Sequence, residues 1–187
     1  WASGWHSPIY CDNRKTLSYP EIRSEICDEF VRVIKNEFGL PEVIAGVATG
    51  GIGIGALVAD KLGLPFIYIR SSSKGHGLQN QIEGDLRKGQ KVIVIEDLVS
   101  TGKSSLQAVE AIRKADGNVI GMVAIFTYGF EIAKQAFLSA DCKLQTLTDY
   151  SVLIESAVKK SYIESDDIVA LKKWRKTPDK WLPENPK

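Results

Sequence analysis

Residues 92–105 read VIVIEDLVSTGKSS, and two chemistries compete for them. The tail, Gly102-Lys103-Ser104, matches the end of a nucleotide-binding P-loop. That motif needs a first glycine five residues before Gly102, so that backbone N–H groups can close on the phosphates. Asp97 stands there instead, and its carboxylate would face a polyphosphate with like charge. The other chemistry accounts for every position. A strand carries Glu96 and Asp97 to its carboxyl end, where adjacent carboxylates accept hydrogen bonds from vicinal hydroxyls. Ser100, Thr101, Gly102 and Ser104 then turn into a helix whose free N–H groups and dipole can seat one phosphate monoester. Hydroxyls at one end and a phosphate at the other describe a ribose 5-phosphate. The plain alternative is a solvated strand end followed by an ordinary helix cap. Either half alone favours that alternative; both halves in register favour the ligand.

The elements that must position these residues alternate between strand and helix. Ser18-x-x-Glu21 with Pro20 has the form of a capping box, and Ile22, Ile26, Phe30, Val33, Ile34 and Phe38 follow at helical spacing up to Gly39. Strands are expected at 42–48, 65–70, 92–96 and 118–127, with a weaker one at 143–148. TGGIGIG reads as a glycine-rich turn before a helix in ALVADKLGL. Further helices are expected after the turn at 100–104, with Leu106, Val109 and Ile112 on one face and Gly117 at the end, in FEIAKQAFLSA, and over roughly 149–160 and 166–175. This order predicts an α/β fold, a doubly wound, mostly parallel sheet of about five strands with flanking helices, in a single domain spanning 1–187. Ligands of such sheets sit beyond the carboxyl ends of the strands, and the polar stretches of the chain fall there. Residues 71–90, SSSKGHGLQNQIEGDLRKGQ, carry no core-forming pattern and suggest a functional lid or an exposed hairpin.

Composition fits a globular enzyme or binding module. The 187 residues are 44% hydrophobic and 25% charged, with 24 Lys+Arg against 23 Asp+Glu and a net charge of +1. Such a balance argues against a nucleic-acid surface, and no apolar run is long enough to cross a membrane. Cys11, Cys27 and Cys142 lack metal-ligand spacing and read as reduced thiols, which places the chain in the cytoplasm. Because the chain opens on Trp1 rather than Met, a preceding N-terminal piece is expected.

VIVIEDLVSTGKSS resembles the phosphoribosyl-diphosphate-binding motif of the type I phosphoribosyltransferases, in the form usual for orotate phosphoribosyltransferase. Three further stretches agree, in the family's order: SGWHSPIYCDNR (3–14) resembles its N-terminal motif, GVATGGI (46–52) its diphosphate loop, and IRSSSKGHGLQNQIEG (69–84) its mobile catalytic loop. The N-terminal motif and KGHG are the parts that point to orotate as the base. The resemblance implies a small N-terminal hood and a homodimer whose mobile loop closes over the neighbouring subunit's site. It also implies magnesium, held mainly by substrate oxygens with no direct protein ligand.

The resemblance further implies roles. Asp97 with Glu96 holds the ribose hydroxyls and stabilises the charge that builds on the sugar. Lys74 and Arg70 supply positive charge to the diphosphate, and His76 donates to a leaving oxygen. Ala48-Thr49 offers its backbone, and Leu98, Val99, Ser100, Thr101, Gly102, Lys103 and Ser104 complete the phosphate seat. Ser100 and Tyr10 reach the base. Each has a plainer reading: solvated charges for Lys74 and Arg70, an incidental loop residue for His76, an ordinary turn at Ala48-Thr49, and core packing for Tyr10. His6 has no assigned role and reads as structural. The chain has Ser71–Ser73, Gly50 and Ala2 where some relatives carry lysine, and no clear arginine after FTYGF. A purine phosphoribosyltransferase and a non-catalytic nucleotide-sensing regulator on the same fold are the alternatives.

Overall fold

The structure is a computed structural model that describes residues 5–71 and 81–182. Its centre is one sheet whose strands are β1 (Val43–Val47), β2 (Phe66–Ile69), β3 (Ile82–Glu83), β4 (Lys91–Val99), β5 (Asn118–Thr127) and β6 (Leu144–Asp149). They lie in the order β3-β2-β1-β4-β5-β6. All neighbours are parallel except β2 and β3, which pair antiparallel. The sixth strand beyond the expected five is therefore β3, which comes from the patternless polar stretch. Two residues of a hairpin arm leave no periodicity to read.

Helices cover both faces. On one face α1 (Pro20–Glu37) and α2 (Gly50–Leu62) bury Phe30, Ile34, Ile54 and Val58 against Ile44, Ile93 and Ile95. On the other, α3 (Lys103–Lys114) and α4 (Glu131–Ser139) bury Val109, Ile112 and Phe137 against Val43, Val92, Val94 and Met122. Alternate residues of β1 and β4 thus feed opposite cores, as a strand's period of two requires. α5 (Tyr150–Lys159) and α6 (Ser165–Lys176) join the first core through Ile154, Leu171 and the fully buried Trp174. Among the described residues, no helix is long and apolar enough to cross a membrane.

Three element ends differ from the sequence expectation. The first helix begins at Pro20 with Tyr19 as its N-cap, while Ser18 closes a 3-10 helix over Asn13–Ser18. Proline is suited to the first helical position, where no N–H is needed; this moves the cap one residue past the serine. β4 runs on to Val99, because Leu98 and Val99 pair with Phe126 and Thr127, so Glu96 and Asp97 lie inside the strand. Most of the expected glycine turn is helix, since α2 starts at Gly50.

That early start depends on close approach. A Cβ on Gly51 would overlap the carbonyl oxygen of Ile95, and one on Gly46 would come within 2.6 Å of the Gly51 carbonyl oxygen. Both obstacles are backbone and cannot rotate away. Gly51→Ala is therefore expected to cost about 1–3 kcal/mol through overpacking, a fall in Tm on the order of 2–4 °C per kcal/mol for a chain of this size. Thermal melting followed by circular dichroism checks it, and an unchanged Tm would mean that α2 can stand further from the sheet.

Candidate active site

The strand order reverses between β1 and β4. From β1 the chain winds outward through α2 to β2, and from β4 it winds the other way through α3 to β5. A crevice at the carboxyl ends of these two strands follows from that reversal. Ala48-Thr49 leaves β1 there, with a cis peptide bond between the two residues, and the last residues of β4, Asp97–Val99, run beside it into the turn that opens α3. The two stretches meet at one contact. The Asp97 carboxylate lies against the α carbon of Gly50, so close that a Cβ at position 50 would overlap it. Glycine is thus the residue at position 50 that this placement of Asp97 allows.

Glu96 and Asp97 are adjacent in sequence and unlike in setting. Asp97 is half-buried. Glu96 is only 4% exposed, and both its oxygens are engaged by the chain itself. Oε1 accepts from the Asp97 N–H at 3.0 Å and Oε2 accepts from the Ser105 hydroxyl at 2.9 Å. Burial pushes the Glu96 carboxyl well above the ordinary glutamate range, and the Asp97 carboxyl pushes the same way, while Ser105 pulls against them. Ser105 was not singled out in the sequence. Its position two residues into α3, on the helix face toward the sheet, was the available signal.

Two helices start at this edge. α2 has Thr49 as its N-cap and α3 has Gly102, with φ at 82°, and neither receives a side-chain cap. The first amides of a helix have no partner inside the helix, so both ends present donors and positive dipole to an anion. Ser100 and Thr101 are half-buried in the turn before α3, whereas Lys103 and Ser104 are exposed on its first turn. Leu98 is half-buried and Val99 buried in the last part of β4.

Residues 5–19 wrap over this end of the sheet as the expected hood. The Trp174 Nε1–H donates to the carbonyl of His6 at 3.1 Å, and Trp5 meets Phe130 edge-on. The Tyr128 hydroxyl, at the end of β5, accepts from the Cys11 N–H at 3.4 Å; burial pushes its pKa up to about 12. Tyr10 is 71% exposed, so the core-packing alternative is corrected; its hydroxyl accepts from Arg14 at 3.2 Å. Sequence reading found no arginine beside TYGF, yet Arg175 of α6 reaches that stretch. Its Nε donates to the Tyr128 carbonyl at 3.2 Å, and the guanidinium lies 5.4 Å from the Tyr150 ring centre. Nothing local in the sequence signals a partner 47 residues away.

Arg70 follows β2 on the same edge, where its guanidinium faces the Glu83 carboxylate of β3 at 3.5 Å. The hairpin therefore neutralises part of the charge expected to serve a diphosphate. Lys74 and His76 lie outside the described residues. Among the described residues there is no group of three or more His, Cys, Asp or Glu that could hold a metal.

The site and the fold have clear relatives. The family described as Phosphoribosyl transferase domain matches residues 19–151. Orotate phosphoribosyltransferase of Porphyromonas gingivalis is 60% identical over 181 residues, covering 97% of this chain and 86% of the relative. Its counterpart in Bacteroides fragilis is 59% identical, covering 97% and 85%. The crystal structure of orotate phosphoribosyltransferase from Aeropyrum pernix superposes with a TM-score of 0.77 at 29% identity, over 88% of this chain and 90% of that one. The chain belongs to the phosphoribosyltransferase family, on its orotate phosphoribosyltransferase branch.

Proposed function

We propose that the chain transfers the 5-phosphoribosyl group from phosphoribosyl diphosphate to orotate, giving orotidine 5′-phosphate and diphosphate, a step of pyrimidine (UMP) biosynthesis in the cytoplasm. One observation carries this reading: the Asp97 carboxylate stands at the β1–β4 reversal, between two helix starts without side-chain caps. Breaking the anomeric C–O bond builds positive charge on the ribose and negative charge on the departing diphosphate. Asp97 supplies negative charge where the sugar becomes cationic, and the amides of Ser100–Ser104 and of the α2 start supply donors for the two anionic ends. Glu96, held by Ser105, fixes the backbone N–H of Asp97 and so the direction of the strand end. Ser100 and Tyr10 reach the base, with Ser100 in the turn and Tyr10 exposed on the hood.

Magnesium suits an anionic ligand seated at this edge. It prefers oxygen and keeps several waters, and it would be held mainly by the substrate's phosphate oxygens with no direct protein ligand. When bound it offsets the charge of the leaving diphosphate. Asp97→Asn keeps the size and removes the charge. Turnover is expected to fall about a hundredfold or more, the scale of one lost transition-state electrostatic contact, with Tm near the parent's. Loss of orotate ultraviolet absorbance on adding phosphoribosyl diphosphate and magnesium reads it, with adenine, hypoxanthine and xanthine as comparison bases. Parent-like turnover would remove Asp97 from the reaction, and use of a purine in place of orotate would change the base.

The Glu96 environment gives a pH prediction. Between the ordinary glutamate value of about 4.3 and its raised folded value, the native state keeps a proton that the unfolded chain has lost. Stability therefore declines as pH rises through that window. Glu96→Gln retains an acceptor for the Asp97 N–H and a partner for Ser105 without the ionisation. Its Tm should match the parent's near pH 4.5 and exceed it increasingly toward pH 8. A constant difference across that range would show that Glu96 ionises in the folded state as it does in the unfolded one.

The proposal extends to a homodimer in which Lys74 and His76 serve the neighbouring subunit's Asp97. Support comes from the family's KGHG motif and from the polar stretch 70–81 between β2 and β3, which is longer than an ordinary hairpin loop; closure of such a segment excludes water. Lys74→Ala and Asp97→Asn then fall on the same site when they stand on different chains. Hybrid dimers contain one doubly damaged site and one intact site, so a subunit-exchanged mixture should be far more active than either parent variant. Native mass spectrometry showing hybrids without such a gain would place the loop over its own subunit.

A further inference from the structure

We propose that Asn13 is a positioning residue for Asp97, acting through the side-chain amide that it donates to the Asp97 backbone carbonyl at 2.7 Å. β1 last pairs with β4 at Gly46–Ile95, whereas β5 stays paired with β4 to Val99–Thr127. Asp97 thus lies past the end of β1, on a strand supported from one side. Asn13, 84 residues earlier in the chain, fills the place of a ladder donor there. The direction of its amide is fixed from the other side, because the Cys11 thiol donates to Oδ1 at 3.2 Å.

The anchor is itself held. The Thr16 hydroxyl donates to the Asn13 carbonyl at 2.6 Å, and Leu17 packs over Gly53 of α2, 3.0 Å from where a Cβ would stand. Cys11 is tied to Tyr128 at the end of β5. The short 3-10 helix therefore links the hood that carries Tyr10 to the peptide that carries Asp97.

This inference rests on the reading of Asp97 as the carboxylate at the reacting sugar. Asn13→Ala should lower kcat roughly ten- to hundredfold, the scale of an ångström-sized misplacement. KM for phosphoribosyl diphosphate should stay within about threefold of the parent's, since the phosphate seat on α3 is untouched. Asn13→Asp sharpens the test, because its carboxylate faces the Asp97 carbonyl with no proton to donate. Protonation restores the donor, so the ratio of its kcat to that of Asn13→Ala should rise as pH falls from 8 to 5. Asp12, Arg14, Cys11 and Asp97 are the titratable and charged groups around the position in both variants. Measured well below either melting temperature, a kcat for Asn13→Ala within twofold of the parent, or a flat ratio across that range, overturns the proposal.

The double variant Asn13→Ala/Asp97→Asn separates this failure from that of the underlying reading. A residue acting through Asp97 should cost little further turnover once Asp97 is changed; an undiminished further loss also overturns the proposal. If Asp97→Asn alone is fully active, the reading of Asp97 fails, and the role assigned to Asn13 fails with it.

Discussion

The distance between the start of α2 and the ends of β1 and β4 governs the rest of the molecule. It is set by backbone: Gly51 beneath the Ile95 carbonyl, Gly46 beneath the Gly51 carbonyl. A helix laid this close to a sheet aims its first amides at the strand ends instead of past them. The Asp97 carboxylate then rests on Gly50, and the reversal of strand order places the α3 start opposite. The sheet could tolerate other side chains in its two cores at modest cost. It has no comparable freedom at Gly46 and Gly51, where the nearest obstacle is main chain.

A second set of contacts supports the site from outside the sheet. Tyr128, Phe130, Tyr150 and Trp174 form one aromatic cluster, with Tyr128 and Phe130 stacked at 5.5 Å and Trp174 edge-on to both. The cluster joins the end of β5 to α5 and α6, and Trp174 extends it to the hood through His6. Elements from both ends of the chain therefore converge on the carboxyl edge of the sheet. The hood is held there by polar contacts at His6, Cys11 and Asn13.

Much of this was legible in the sequence because it is periodic. The apolar runs within 42–48, 92–96 and 118–127 announce buried parallel strands, and the doubly wound order places their carboxyl ends on one edge. Asp97 could be located from that order alone. Glu96 shows what the pattern left out. Two adjacent carboxylates looked alike on paper, yet one lies against Gly50 and the other is buried against Ser105. That difference depends on where α3 begins. The α2 start was misplaced because glycine is a poor helix former in isolation, while here its lack of a side chain is what lets the helix begin. Ser18 was read as a cap from a local motif that Pro20 displaced by one position. Arg175 and Asn13 act across 47 and 84 residues, distances over which no local pattern carries information.

The electrostatics of the edge follow from these placements. An anionic ligand approaching Asp97 and Glu96 would meet two negative charges if both were ionised. Burial raises the Glu96 pKa, which reduces the negative charge facing such a ligand without removing the hydrogen bonds that orient the strand. The positive side has similar economy. Arg70 faces Glu83, and Arg175 is engaged by Tyr128 and Ser151. A lysine at position 50 would have to displace the Asp97 carboxylate. Within the described residues, the attraction for an anion at this edge therefore includes the starts of α2 and α3, Lys103 at the start of the latter, and Arg14 of the hood, which is itself paired with Asp12. Helix-start donors are fixed in direction and need no side-chain ordering, so they suit a ligand whose phosphates must be held at set distances from one carboxylate.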